Sequence, residues 1–300
     1  MNASPAQPTA PALSSSHDPA DGIARSTICL SIVSHGQRDV ALALLHDLAR
    51  LKPPHVARIV YTRNIAEPPL PDLDLGNAVL IQIDNIAPKG FSANHNAAFP
   101  HCREAYFCVM NPDLRLDDDP FPALLAGFDS GSMDTDATAT AKTSAPANLI
   151  IAKPRCGNRM GLVAPVIVDS RGALQNTART LYTPIEMIRQ KLHPSNEGSR
   201  ADWLAGMFML FRSEAYASIG GFDERYFLYI EDVDICSRLV ADGWCLRQVP
   251  TARVVHDARK TSHRSLRYTL WHLDGMLRYW RGKSYRDYRR ILRERHARHA

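Results

Sequence analysis

No apolar run in this 300-residue chain approaches the roughly 18 residues that a bilayer-spanning helix requires; the longest, WLAGMFMLF at 203–211, is half that. The expectation is a protein that does not cross a membrane. The opening MNASPAQPTAPALSSSHDPADG lacks the basic start and apolar centre of a secretory signal, and its Ala/Pro/Ser bias predicts a disordered tail over residues 1–26. No CxxC spacing links the six cysteines (Cys29, Cys102, Cys108, Cys156, Cys236, Cys245), several of which sit in apolar runs as small hydrophobes. That pattern argues against a disulfide framework or a zinc site and for a reducing cytoplasm. Internal repeats are absent, and so is any Ser-His-Asp or Cys-His arrangement that would suggest an enzyme nucleophile.

Net positive charge is confined to the end of the chain. Residues 278–300 carry nine Lys/Arg against two acids, +7 of a net +5, so the other 277 residues stand near −2. The body therefore has no general affinity for polyanions to explain. A nucleic-acid-binding protein is a rival reading on the basic end and a pI near 8.9, but no basic surface interleaved with aromatics is visible.

What remains is a composition of 45% hydrophobic and 22% charged residues, ordinary for a globular protein of one large domain or two small ones. STICLSIVSHG (26–36) is a β-rich run, and Asp39 to Leu51 follows with Val40, Leu44, Leu45 and Leu48 on one helical face. VARIVYT (56–62) and AVLIQI (78–83) read as strands buried on both sides, FSANHNAAF (91–99) as helical, and YFCVM (106–110) as another buried strand. Strands alternating with helices predict an α/β fold with a largely parallel sheet. Residues 129–158 turn to Asp, Thr, Ala, Ser and Lys without periodicity, which predicts a loop or insertion. Strand character resumes at GLVAPVIVD (161–169); a short helix is expected after Pro184, then a strand through WLAGMFMLFR (203–212) and helices over 213–219 and 232–242. Strands at WCLRQVP and Arg253–His256 and helices over about 263–281 and 284–297 complete the chain.

Two carboxylate sites stand out. Asn111-Pro112-Asp113 directly follows a buried strand, where open α/β sheets form their ligand crevice, and Asp113 there suits Mg²⁺ or Mn²⁺; a plain turn has the same composition. In GGFDERYFLYIEDVDICSRL (220–239), Glu231 and Asp232 follow an aromatic run at a helix start. A helix dipole favours acids there, and Asp234 with Arg238 has the spacing of a surface pair. Adjacent acids after FLYI also fit a pocket, one of them a general base. His256, ending ARVVH, reads as a core histidine or a ligand, and the following DARKTSHRS is rich in phosphate-binding groups.

Together these segments resemble glycosyltransferase family 2, the inverting enzymes of GT-A fold, and especially the rhamnosyltransferase-like branch. The carriers, in the family's order, are SIVSHG, PKGFSANHNAAF, MNPD, GLVAPVIVDSRG, WLAGMFMLFR, the GGFDE…EDVD…R block and VVHDARKTSHRS, covering about residues 27–265. The resemblance implies a GT-A domain over 27–260 with a C-terminal basic helical extension over 261–300. It places Asp113 as the last acid of the DxD-type motif, holding Mg²⁺ or Mn²⁺ on the donor diphosphate with His256. It places Asp232, beside Glu231, as the catalytic base that deprotonates the acceptor hydroxyl. Donor binding falls to Ser34, Asn64, Asn94, Asn96, Asn111 and Asp113, and the acceptor side to Trp203 and Gly206. Asn111 stands where a full motif has its first acid, and YTRN (61–64) where many relatives carry an Asp-Asn pair.

The implied partners are a nucleotide-sugar, with dTDP-rhamnose suggested by the branch, and a saccharide or lipid-linked saccharide acceptor in cell-surface polysaccharide synthesis. Rival readings are a nucleotidyltransferase, which would show paired metal acids and a glycine-rich N-terminal loop, and a nucleotide-sugar-binding protein without turnover. The apolar and basic pattern after Leu266 adds a further expectation: peripheral association with an anionic membrane surface through residues 278–300.

Overall fold

A computed structural model of the chain describes residues 27–129, 149–152, 159–181, 183–185, 201–256 and 266–297. The expected tail, most of the 129–158 insertion, all but the start of the helix after Pro184, and the basic stretch after His256 lie outside the described residues.

Four parallel strands form one half of the main sheet: β1 (Ile28–Ser34), β2 (Val56–Arg63), β3 (Val79–Asp84) and β4 (Tyr106–Met110). Helix α1 (Arg38–Leu51) joins β1 to β2, and α2 (Phe91–Ala98) with a short 3-10 turn joins β3 to β4. The other half contains β5 (Leu114–Arg115), β6 (Leu149–Ala152), β7 (Met160–Val168), β10 (Phe208–Arg212) and β11 (Cys245–His256). The order is β3-β2-β1-β4-β10-β7-β11-β5, with β6 also on β11. β10 runs antiparallel between β4 and β7, while β7 and β11 pair in parallel. The sheet is thus largely parallel with reversed β5, β6 and β10.

β1 shows why both faces are covered. Ile28, Leu30 and Ile32 point into one layer with Leu44, Leu45 and Leu48 of α1 and with Phe121 and Leu124 of α3 (Phe121–Asp129). Cys29 points into the other, shared with Phe107, Tyr216 of α4 (Ser213–Ser218), and Ile235 and Leu239 of α5 (Glu231–Ala241). This period-2 division is what a strand buried on both sides requires.

Several expectations change. β3 is an edge strand with Val79 53% and Leu80 36% exposed, because only β2 flanks it. Apolar Leu149–Ala152, inside the expected loop, pairs with β11. WLAGMFMLFR is two strands, β9 (Trp203–Leu204) and β10, interrupted around Gly206; β9 pairs instead with β8 (Ala178–Arg179). The two strands expected near the end are one, β11, with an irregularity between Val249 and Arg253.

Helices α6 (Leu266–Arg281) and α7 (Lys283–Ala297) dock on the domain instead of extending from it. Tyr288 and Leu292 of α7 are buried in the α5 layer, and the Tyr288 hydroxyl donates to the Asp202 carbonyl. Asp234 does pair with Arg238 at 2.7 Å, yet it is 1% exposed because the start of α7 covers it; Ser284 Oγ donates to its Oδ1 at 2.6 Å. Sequence spacing also misses a cluster at the sheet's amino end. There Cys29, Cys102 and Glu104 bring ligand atoms within 4.8 Å, with Arg58 on the carboxylate at 3.1 and 3.2 Å.

Candidate active site

Strand direction assembles the site. The carboxyl ends of β1, β2, β4, β7 and β11 share one edge of the sheet, where open α/β sheets bind ligands. Antiparallel β10 starts at that edge, which brings Gly206 and Met207 to it.

Asp113, just beyond β4, and His256, the last residue of β11, meet here although 143 residues separate them: His256 Nε2 lies 3.2 Å from Asp113 Oδ2. The imidazole is oriented from behind. Gln175 donates from Nε2 to the His256 carbonyl at 3.2 Å, which leaves Gln175 Oε1 facing His256 Nδ1 at 3.0 Å. That oxygen only accepts, so Nδ1 carries a proton and Nε2 is the ring nitrogen turned toward the carboxylate. A proton or a cation is needed between Nε2 and the carboxylate, and Asp113 Oδ1 is buried with no partner among the described residues. An orphaned carboxylate oxygen beside an imidazole nitrogen fits a hard or borderline divalent ion.

Glu231 and Asp232 open α5 after a strained turn. Tyr229 (φ 73°) and Ile230 (φ 72°) are both left-handed, a rare conformation for a β-branched residue and one that costs about 1–2 kcal/mol per residue. Packing offsets it. Gly275 of α6 seats directly on the turn, where a Cβ would stand 3.1 Å from Ile230 Cγ1 and 3.2 Å from the Tyr229 carbonyl.

The Asp232 carboxylate accepts from the Gly206 N–H at 3.1 Å through Oδ2 and from the Val233 N–H at 2.9 Å through Oδ1. Gly206 allows that approach, since a Cβ would lie 3.2 Å from Asp232 Cβ. Burial raises the Asp232 pKa, partly countered by those two N–H donors. Glu231 is more deeply enclosed; burial, then the Asp232 charge, pushes it well above the usual carboxylate range, and its Oε2 has no partner among the described residues. The next residue along from Gly206 ties the two acidic sites together: the Met207 carbonyl accepts from the Asn111 N–H at 2.9 Å.

The other donor-side residues shape the edge. Ser34 Oγ donates to Glu67 Oε1 at 2.6 Å and accepts from the Gln37 N–H at the start of α1. Asn64 Oδ1 accepts from Asn85 Nδ2 and the Lys89 N–H, both at 2.8 Å, while its Nδ2 donates to the Lys89 carbonyl. Asn94 accepts from Asn85 at 2.7 Å and donates to the Gly90 carbonyl. Asn96 reaches the GGFDE block, accepting from the Phe222 N–H and the Tyr216 hydroxyl and donating to the Phe222 carbonyl and Glu224. With their polar atoms engaged this way, Ser34, Asn64, Asn94 and Asn96 brace loops around the edge rather than projecting from it.

Across Asp232 lies a wall of which the site residues expected from sequence include only Trp203. Trp203 is half-buried under Arg179, whose guanidinium sits 5.4 Å from the indole centroid and whose charge lowers the Asp232 pKa. From α6, Trp271 stacks on Phe227 at 4.7 Å, and His272 meets Tyr229 at 5.4 Å. Burial lowers the His272 pKa, opposed by the Asp232 charge. Gln175, Glu67 and His272 were not singled out by sequence reasoning, because each acts through a partner 30 or more residues away.

Residues 62–270 match the family described as Glycosyltransferase like family 2. The chain is 36% identical over 118 residues to N-acetylglucosaminyl-diphospho-decaprenol L-rhamnosyltransferase of Mycobacterium tuberculosis, a match covering 33% of this chain and 38% of that protein. It is 40% identical over 82 residues to rhamnosyltransferase WbbL of Escherichia coli, covering 26% of this chain and 30% of the relative. These matches thus span well under half the length of the curated relatives. Mannosyltransferase PcManGT from Pyrobaculum calidifontis, in complex with GDP-Man and Mn²⁺, aligns with a TM-score of 0.52 at 12% identity, over 90% of this chain and 68% of that one, a likeness of fold alone. With a family match across more than two-thirds of its length and an α/β sheet of the GT-A type beneath it, this chain belongs to glycosyltransferase-like family 2.

Proposed function

We propose that the chain is an inverting glycosyltransferase that moves a sugar from a nucleotide-sugar to a hydroxyl of a lipid-linked saccharide, at the surface of the membrane carrying that acceptor. The names of its relatives favour rhamnose from dTDP-rhamnose and an N-acetylglucosaminyl-diphospho-lipid acceptor. The observation that carries the reading is the join at Gly206-Met207: the Gly206 N–H holds the Asp232 carboxylate and the carbonyl of the next residue, Met207, holds the strand end bearing Asp113.

In this reading Asp232 Oδ1 or Oδ2 accepts the acceptor hydroxyl's proton as its oxygen attacks the anomeric carbon. The nucleoside diphosphate leaves from the opposite face, so the anomeric centre inverts. Fixed backbone donors hold the carboxylate in one orientation, and its raised pKa strengthens it as a base. Asp113 and His256 are the residues that would hold a divalent cation; Mn²⁺ accompanies the sugar nucleotide in the structural relative. When bound, that ion neutralises charge developing on the diphosphate. Ser34, Asn64, Asn94, Asn96 and Asn111 keep the donor edge in shape. Trp203, Gly206 and the α6 wall border the acceptor side.

The test is a panel of dTDP-, UDP- and GDP-sugars with Mn²⁺, Mg²⁺ or chelator, scored for nucleoside diphosphate release and for product on a diphospho-lipid acceptor. Metal-stimulated turnover of dTDP-rhamnose and a product of inverted configuration are expected. Release from none of the donors by folded protein, or a product of retained configuration, would overturn the proposal.

A further inference from the structure

Helix α6 has two apolar sides, and only one is covered by the described residues. Gly275, Met276 and Tyr279 face the domain and are buried, with Tyr279 bonded to Ser237 at 2.6 Å. Roughly half a helical turn around, at 3.6 residues per turn, stand Leu270, Leu273 and Leu277. They are 64%, 47% and 48% exposed, in the i, i+3, i+7 spacing of a continuous apolar stripe. A solitary exposed leucine needs no explanation; three aligned on one helix mark a surface meant to be covered.

The surroundings of the stripe carry a net positive charge. Arg281 continues its face at the helix end, and Arg278, which borders it, pairs with Asp274 at 3.5 Å. Beyond the turn at Gly282, α7 buries Tyr288 and Leu292, and Arg286, Arg289, Arg290 and Arg293 line a surface hollow with Tyr285 and one acid, Glu294. These arginines belong to the last 23 residues, which carry +7 on a chain otherwise near −2.

We propose that the outer leucine stripe of α6, flanked by this arginine-rich end, seats the protein on an anionic bilayer. Charge selects that occupant over a second copy of the chain. A parallel pairing of α6 with its copy would bring two arginine-rich ends together and an antiparallel one would leave both without a counter-charge, whereas an anionic surface complements them. Leucines with arginines beside them are also the composition of a helix lying in the lipid interface. Position gives the seat a use. The covered side of α6 rests on the Tyr229-Ile230 turn that introduces Asp232, so one helix, ~10 Å across, separates the seated face from the acceptor side. This use rests on the lipid-linked acceptor proposed above; the seating itself does not require turnover. It also moves the membrane contact from residues 278–300, much of which α7 commits to the core, to α6.

The experiment is sedimentation of the full chain with phosphatidylglycerol-containing and pure phosphatidylcholine vesicles over a salt series. Wild type is expected to pellet with the anionic vesicles, and less so as salt rises. The combined variant Leu270→Ser, Leu273→Ser, Leu277→Ser keeps the net charge and should lose about 10-fold or more in vesicle affinity, with Tm and nucleotide-sugar turnover unchanged. A second variant, Arg281→Gln with Arg286→Gln and Arg290→Gln, should weaken anionic binding and flatten its salt dependence. Undiminished pelleting of the leucine variant, or no pelleting by wild type, would overturn the seat. So would a wild-type dimer in sedimentation velocity that the leucine variant dissolves. Vesicle binding without sugar transfer would leave the seat standing and count against the proposed reaction.

Discussion

Asp232 concentrates the residue-scale consequences. Its orientation comes from two backbone donors and its raised pKa from burial, so Asp232→Asn retains the shape and removes the base. The expected loss in kcat is about 10²–10⁴-fold, with donor binding retained. Because the base works ionised, wild-type activity should fall as pH drops through a pKa above the ordinary carboxylate range. The variant's residual activity should lack that acidic limb, and a pH–rate profile of both proteins checks it. Gln175 touches no reacting atom in this account; it fixes the His256 tautomer. Gln175→Ala should weaken Mn²⁺-dependent donor binding by about 10–100-fold, the usual effect of removing a partner that orients a metal-binding histidine. Calorimetric titration with Mn²⁺ and with chelator separates this from a structural effect, since the metal-free affinity should not move.

Among the elements, α7 changes most between sequence and structure. Its arginines suggest a solvated end, yet Tyr288 is fully buried against the α5 layer and bonded to the Asp202 carbonyl, with Leu292 buried beside it. Tyr288→Ala should therefore destabilise the domain by about 3–5 kcal/mol, as large aromatic truncations in cores do. Chemical denaturation followed by tryptophan fluorescence measures this, and a change under ~1 kcal/mol would mean that the α7 contact is superficial. For the same reason, removing residues 278–300 is not a clean way to test membrane association. The strained Tyr229-Ile230 turn belongs at this scale too, because α6 supplies the packing through Gly275 that holds it.

At the scale of the whole molecule, pH couples the core to stability. His95 is completely enclosed, bonded to Ser31 at 2.8 Å, and burial lowers its pKa to about 3. The folded state resists the proton that an unfolded histidine takes up near 6.5, so this stability is full above about pH 6.5 and is lost progressively as pH falls toward 3. Between pH 7 and 5 the histidine alone withdraws about 2 kcal/mol. Glu231 and Asp232, with raised pKa values, act in the opposite direction, since acidification relieves their buried charge. Comparing wild type with His95→Gln cancels that shared contribution. Urea unfolding at both pH values should show the variant losing about 2 kcal/mol less than wild type on acidification.

The sequence alone determined the local alternation. Continuous apolar runs such as YFCVM make strands buried on both faces, the 3.6-residue pattern of Asp39 to Leu51 makes a helix, and Gly243 at φ 91° ends α5. The motif blocks also placed Asp113, Asp232 and His256 at element ends, where the structure finds them. Tertiary structure decided what those residues meet. Strand order, not spacing, put β11 where His256 reaches Asp113 and made β3 an edge. The reversal of β10 brought Gly206 to the carboxyl edge, and docking of α7 buried Tyr288 and Leu292 while leaving Arg286, Arg290 and Arg293 exposed. The physical reason is range: periodicity and capping act over a few residues, whereas strand pairing and helix docking join positions more than a hundred apart, with no trace in local pattern.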